Sequence, residues 1–292
     1  MTDVVAGLAR VVPSEERLSG YLLRLSRPRF WFYLAGPVVV GATYAASSPA
    51  EVVTPLTVAL FAYFLVPANV FLYGVNDAFD RDVDELNPKK EDREVRFRGE
   101  TAVSAVVVAA GLLALPFLFV LPPAGAGAFA LFLVLAVEYS APPFRFKTTP
   151  LFDSLSNGLY ALPGVVAFVA VAGSLPPVAA IAGAWLWTMA MHTFSAIPDI
   201  GPDREAGIRT TATALGETRT YVYCGLVWLA AAASFALVDY RLGLLLSVYP
   251  VFVAGVAVSD VAVDRAYWWF PALNTVVGAA MTMGKLWVML YG

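Results

Sequence analysis

The chain has 292 residues, 59% of them hydrophobic and 14% charged, with a formal net charge of -3 and a mean hydropathy of +0.71. A soluble domain of this length would carry roughly a quarter charged residues and a smaller apolar share. The composition excludes a soluble globule, a disordered chain and a secreted disulfide scaffold, and leaves an integral membrane protein.

Residues 1–29 hold Arg10, Glu15, Glu16, Arg17, Arg24, Arg27 and Arg29 without a long apolar run. They predict a polar arm rather than a cleaved signal peptide. Beyond it, nine stretches reach or approach the ~20 apolar residues that a membrane helix needs. They cover about 30–46, 52–75, 101–121, 124–141, 154–172, 177–198, 219–239, 242–262 and 266–290. Tight turns at Pro122-Pro123, Ser174 to Pro177 and Tyr240-Arg241 alternate with longer loops at 76–100, 142–153, 199–218 and 259–265. Of the 19 lysines and arginines, only Arg241 and Lys285 lie away from the arm and the longer loops, counting Arg219 at a loop edge. The positive-inside rule then places the N-terminus and the longer loops in the cytoplasm and the C-terminus outside.

The expected fold is an all-α membrane protein, with nine transmembrane helices in a bundle around a cavity and cytoplasmic cap loops above it. One domain, 30–292, follows the arm. The single cysteine, Cys224, can form no disulfide within the chain, and its apolar neighbours predict core packing. No basic face appears, so nucleic acid is not an expected partner.

The loop after the second stretch opens with Asn76-Asp77-Ala78-Phe79-Asp80-Arg81-Asp82-Val83-Asp84. On a helix, Asn76, Asp77, Asp80 and Asp84 form one stripe. Like charges so placed repel, and a bound cation would relieve them. Hard oxygen donors suit Mg²⁺, which takes few carboxylates and completes its shell with water and substrate phosphates. A second acidic pair, Asp199 and Asp203, follows the sixth stretch at the same face, with Gly201-Pro202 between them. A proline there interrupts a regular helix, so the pair need not be a plain i, i+4 pair. Two Mg²⁺ sites facing each other would grip a diphosphate, with Arg27, Arg81 and Lys147 as nearby cations. A solvated acidic loop accounts for one such run taken alone. Two on one face over an apolar bundle suit the ionisation of an allylic diphosphate.

These segments resemble the UbiA family of intramembrane prenyltransferases. The family pattern N/D-D-x-x-D-x-x-x-D is matched by Asn76, Asp77, Asp80 and Asp84, and D-x-x-x-D by Asp199 and Asp203. Ser26-Arg27-Pro28-Arg29-Phe30-Trp31, Tyr139-Ser140-Ala141-Pro142-Pro143-Phe144-Arg145-Phe146-Lys147 and the run Asp203 to Thr211 are also similar to the family. The likeness covers about 21 to 290. It implies Mg²⁺-dependent transfer of a prenyl group. The five aspartates and Asn76 would hold two ions, with Asp77, Asp80, Asp199, Asp203 and Lys147 catalytic. Arg27, Arg81 and Lys147 would contact the diphosphate, and Tyr139 and Ser140 would sit near the ionising carbon or the acceptor. Met191 to Ile200, with Asn87-Pro88-Lys89-Lys90, is similar to the lycopene elongases of haloarchaea and actinobacteria. That likeness implies dimethylallyl diphosphate as donor, lycopene as acceptor on the way to fifty-carbon carotenoids, and, in the archaeal forms, hydration of the cation left behind.

An alkene acceptor needs no base to activate it, and a largely apolar chamber is expected. His192, the only histidine, lies about two helical turns deeper than Asp199; a packed core histidine is the plainer reading and a proton relay the sharper one. Glu138 and Lys285 are ionisable groups within stretches, expected to pair with each other or to serve packing. Trp185, Trp187, Trp268 and Trp269 are expected as anchors or core, with cation–π stabilisation as the alternative. Rival functions are a related prenyltransferase acting on a quinone precursor, chlorophyllide, haem or geranylgeranylglyceryl phosphate, a cation-coupled transporter, and a pigment-binding protein.

Overall fold

The computed structural model describes residues 17–84, 100–259 and 261–292, and their side chains except those of 80–84. The described residues form helices and turns only. Helix α1 (Leu18–Leu25) leads through a 3-10 turn at Pro28–Phe30 into α2 (Trp31–Ala45). Helices α3 (Pro55–Leu65) and α4 (Pro67–Asp84) make one broken rod, and α5 (Thr101–Leu112) with α6 (Leu115–Val120) makes the next. Helix α7 (Pro123–Glu138) returns. A single turn at Phe152–Leu155 and a 3-10 segment at Ser156–Ala161 then open the rod completed by α8 (Leu162–Ala172). Helix α9 (Val178–Ser195) runs through a 3-10 turn at Ile197–Asp199 into the short α10 (Ile200–Glu205) and α11 (Thr211–Leu215). The last rods are α12 (Glu217–Ala236), the pair α13 (Tyr240–Leu246) and α14 (Val248–Val258), and α15 (Val263–Tyr291).

Helix therefore occupies every apolar stretch read from the sequence. Among the described residues, five rods are long and apolar enough to cross a membrane by length and composition: Pro55–Phe79, Thr101–Val120, Phe152–Ala172, Tyr240–Val258 and Val263–Tyr291. The α7 rod is apolar but only 16 residues long. The count of nine crossings remains an expectation of the sequence.

Prolines mark helix starts, where a missing N–H costs nothing: Pro55, Pro67 and Pro123 each open a helix. Pro67 also interrupts the ladder between α3 and α4. The fully buried Asn69 donates its amide to the carbonyls of Phe64 and Leu65, both at 3.0 Å. A buried polar group thereby satisfies the backbone that the break would leave without partners.

Two large apolar clusters fill the bundle, and a smaller third joins α1, α4 and α5 through Tyr21, Leu25, Val70 and Val103. One large cluster joins α2, α3, α4, α7 and α8 through Leu34, Phe64, Phe129, Phe132 and Leu162. The other joins α9, α12, α14 and α15 through Phe194, Trp228, Tyr249 and Phe270. Phe30 and Tyr160 pack against both clusters, so they sit on the seam where the cavities open. Helices α2 and α8 approach very closely there. A Cβ on Gly41 would lie 2.0 Å from the carbonyl oxygen of Gly164, the kind of contact that small residues permit between membrane helices.

Replacing Asn69 with leucine would leave two carbonyls unpartnered at the α3–α4 break. The expected loss is about 1–3 kcal/mol per orphaned group, read as a lower thermal midpoint in detergent. An unchanged midpoint would show that the break needs no such support.

Candidate active site

The site begins at a strained turn. Arg27 adopts a left-handed conformation, φ 49°, between α1 and the 3-10 turn. Such a residue costs of order 1–3 kcal/mol unless its surroundings fix it. Ser26 supplies part of that fixing: its hydroxyl donates to the Leu23 carbonyl at 2.7 Å and accepts from the Trp31 indole at 3.0 Å. The Arg27 guanidinium then lies 4.4 Å over the Tyr73 ring and pairs with Asp77 at 3.1 Å. Tyr73 and Asp77 are four residues apart on α4, so one face of that helix receives the whole arginine.

Asp77 is 1% exposed, although it stands at the end of a rod. Its neighbour Asn76 donates to the buried Ser140 hydroxyl at 2.8 Å, which ties α4 to the loop after α7. In that loop the Lys147 backbone N–H donates to the Tyr139 carbonyl at 3.0 Å. Burial pushes the Lys147 ammonium down to about 8, against the pull of the Asp77 carboxylate. Arg145 also reaches α4, donating to the Phe79 carbonyl at 3.4 Å. Arg27, Asn76, Asp77, Tyr139, Ser140 and Lys147 therefore form one neighbourhood.

Asp199 ends the 3-10 turn and Asp203 lies in α10. The break expected at Gly201-Pro202 falls earlier, at Asp199. Pro202 sits in the first turn of α10, where no N–H is required of it. The pair is thus split between two kinds of helix and is not a plain i, i+4 pair. The side chains of Asp80, Arg81 and Asp84, and the whole Asn87–Lys90 segment, lie outside the described residues. The α4 backbone stays helical through Asp84.

Among the described residues, no three acidic, histidine or cysteine side chains converge as a metal cluster. The described donors are Asn76 with Asp77, and Asp199 with Asp203. All are hard oxygens and few per site. That set fits Mg²⁺, which takes one or two carboxylates and finishes its shell with phosphate and water. It does not suit a closed all-protein cage.

Below this rim lies a cavity of about 200 Å³ lined by Arg27, Asn76, Tyr139, His192 and a cluster of aromatic rings. Phe30 and Tyr33 are 5.3 Å apart, and Tyr33 meets Tyr160 edge-on at 6.3 Å. The Tyr73 and Tyr160 hydroxyls are 3.4 Å apart. A second, mostly apolar cavity of about 600 Å³ lies between α2, α8, α9, α13 and α15. Tyr33 and Tyr160 line both cavities, so these two rings stand at the junction.

The tryptophans fall elsewhere. Trp185 donates to the Leu155 carbonyl at 2.9 Å, Trp187 lines the larger cavity, and Trp268 lies 3.9 Å beneath Arg29. Trp269 is 65% exposed. None lines the smaller cavity; its aromatic faces are Phe30 and five tyrosines, of which the sequence reading singled out Tyr139 and not Tyr33, Tyr73, Tyr160 or Tyr267. No ion pair joins Glu138 to Lys285 among the described residues. One Glu138 carboxylate oxygen is buried without a hydrogen-bond partner.

The sequence reading also missed Asp153. Its side chain is fully buried and accepts hydrogen bonds from the Thr211 backbone N–H at 2.9 Å and from the Thr211 hydroxyl. Its carbonyl accepts from Asn157 at 2.6 Å. Asp153 therefore clamps the loop carrying Lys147 to the segment that follows Asp203. The available signal was an aspartate at a span entrance and a Thr210-Thr211 pair late in the next acidic segment.

The chain matches known proteins along nearly its whole length. The profile of the UbiA prenyltransferase family covers residues 34–288. A lycopene elongase/hydratase of Haloarcula japonica is 62% identical over 286 residues, covering 98% of this chain and 97% of the relative. A lycopene elongase/hydratase of Haloferax volcanii is 65% identical over 272 residues, covering 93% and 90%. Among solved structures, a UbiA homolog from Archaeoglobus fulgidus bound to GPP and Mg²⁺ superposes with a TM-score of 0.73 at 21% identity, covering 91% of this chain and 99% of that one.

Asp153→Ala is expected to orphan both Thr211 donors, costing about 1–3 kcal/mol for each, and to lower prenyl transfer about tenfold. Asp153→Asn should retain more of both, since it keeps one acceptor. Thermal unfolding and a turnover assay on the same preparations check this; equal activity in all three proteins would contradict the clamp.

Proposed function

The chain belongs to the UbiA prenyltransferase family and is a multi-pass membrane enzyme, and from that premise we propose that it joins a dimethylallyl group to lycopene and hydrates the resulting cation. The observation that carries this reading is the pairing of a polar rim with two cavities that share Tyr33 and Tyr160, the smaller of mixed lining and the larger mostly apolar. The cationic rim receives the diphosphate, and the aromatic junction receives the reacting carbons. The smaller cavity, about 200 Å³, falls below the ~300–1,000 Å³ range of ordinary ligand sites, which favours a short prenyl donor. The larger, about 600 Å³, falls within it and suits the end of a hydrocarbon acceptor. The names of the haloarchaeal relatives support the same acceptor.

Asn76, Asp77, Asp80 and Asp84 would hold one Mg²⁺, and Asp199 with Asp203 a second. When bound, the ions neutralise charge on the departing diphosphate. Arg27 and Lys147 bind the phosphate oxygens, with Arg81 as a third cation. The Arg27–Asp77 pair keeps the guanidinium in place before substrate arrives, so little reorganisation is needed at the moment of reaction. The faces of Phe30, Tyr33 and Tyr73 offset the charge of the allylic cation. The terminal double bond of lycopene attacks this cation at the Tyr33–Tyr160 junction, leaving a tertiary cation on the acceptor. Exclusion of bulk water from this junction would protect the cation from side reactions. The N-terminus and the longer loops face the cytoplasm in this reading, with the C-terminus outside.

Membranes containing the protein, given dimethylallyl diphosphate, Mg²⁺ and lycopene with aromatic acids and glyceryl phosphates as competitors, should extend lycopene alone. Extension of an aromatic acid instead would sink the acceptor assignment. Asp77→Asn and Asp199→Asn should each reduce transfer by 10²-fold or more, the scale of losing one transition-state electrostatic group. EDTA should abolish transfer, and Mg²⁺ should restore it. Full activity in both variants would remove the proposed metal sites.

A further inference from the structure

The reaction proposed above ends with a proton to be removed, and the roles given under that proposal leave it without an acceptor. Among the described residues, no carboxylate lines the smaller cavity; its polar side chains there are a guanidinium, amides, a hydroxyl, phenols and the imidazole of His192. His192 is the only histidine of the chain and the only side chain lining that cavity that is an ordinary base near neutrality. It lies seven residues before Asp199 on α9, about 10 Å deeper at the helical rise of 1.5 Å per residue. In the reading proposed above, that depth corresponds to the prenyl group, beneath the phosphates.

Its Nε2 stands 3.3 Å from the Tyr139 hydroxyl, with the two rings edge-on at 89°. Tyr139 is held by its own backbone, its N–H donating to the Leu135 carbonyl and its carbonyl accepting from Lys147, both at 3.0 Å. Both side chains face the cavity. Asp153, the nearby fully buried acid, does not line the cavity, and its carboxylate is occupied by Thr211.

We propose that Tyr139 and His192 form the proton-accepting pair that ends the reaction, Tyr139 passing the proton to His192 Nε2. The proposal rests on the elongation and hydration reading above. The oxygen of a water molecule bonds to the tertiary carbon and gives a protonated alcohol. One O–H bond of that oxonium breaks as its proton moves to the Tyr139 oxygen, while the original Tyr139 proton moves to Nε2. The products are a neutral tertiary alcohol and a His192 imidazolium; the positive charge has moved from substrate to protein and nothing is oxidised. The step requires the neutral tautomer with its proton on Nδ1, so that Nε2 accepts. Without the relay, the cation loses a neighbouring C–H proton and forms an alkene.

The test is product partition in membranes containing wild type, Tyr139→Phe, His192→Gln and His192→Ala, given dimethylallyl diphosphate, Mg²⁺, lycopene and ¹⁸O-labelled water. Within the elongated product of each variant, the fraction carrying an ¹⁸O hydroxyl should fall at least tenfold relative to wild type, with alkene in its place. Added imidazole should raise it again in His192→Ala. A smaller folded population lowers alcohol and alkene together and leaves this ratio alone, and Tyr139→Phe removes a single oxygen. A wild-type ratio in Tyr139→Phe and His192→Gln would overturn the relay, with the departing diphosphate as the base instead. If wild type extends lycopene without adding water, the relay falls while elongation stands. If wild type does not extend lycopene, the acceptor reading itself has failed.

Discussion

An allylic cation needs a site poor in water, and the diphosphate it leaves needs a site rich in positive charge; the Arg27–Asp77 ion pair is where this chain joins the two. Breaking such a pair where one partner is buried is strongly unfavourable, because it leaves an uncompensated charge. The pair therefore fixes the turn between α1 and α2 against α4. From that fixed point, Tyr73 lies beneath the guanidinium, and Asn76 reaches across to Ser140. The rest of the site follows by attachment. Ser140 brings Tyr139, Tyr139 brings Lys147, and Asp153 carries the same loop to Thr211.

The arrangement separates tasks by depth. Charged groups occupy the rim, aromatic rings the next level, and apolar residues the larger cavity beyond Tyr33 and Tyr160. In the proposed reaction, this layering would shield the cation and hold the anion without placing either where it would be costly. The close approach of α2 to α8 at Gly41 and Gly164 belongs to the same design, because both glycines also line the larger cavity.

Much of this was legible in the sequence, for physical reasons. Apolar runs near bilayer length located every described rod, and the motif that opens with Asn76 and Asp77 marked the end of one of them. Pro202 warned that Asp199 and Asp203 would not be a regular pair, although the break proved to lie at Asp199. Other features were hidden because they depend on contacts between distant segments. Thr211 is 58 residues from Asp153, and nothing local marks either as a clamp. Aromatic residues occur throughout a membrane chain, so the ring cluster of Phe30, Tyr33, Tyr73 and Tyr160 could not be distinguished from core until packing brought it around one cavity. Of the four tryptophans singled out in the sequence, Trp187 lines the larger cavity, and Trp185, Trp268 and Trp269 line neither.

The most direct test of the account is an experimental structure with Mg²⁺ and an unreactive thiolodiphosphate analogue of the dimethylallyl donor. The account predicts the diphosphate between the α4 aspartates and Asp199 with Asp203, with Arg27 and Lys147 on its oxygens and the five-carbon group above the Tyr33–Tyr160 junction. A diphosphate held by one acidic segment while the other faces bulk water, or a prenyl group outside the cavity lined by Tyr139 and His192, would contradict it.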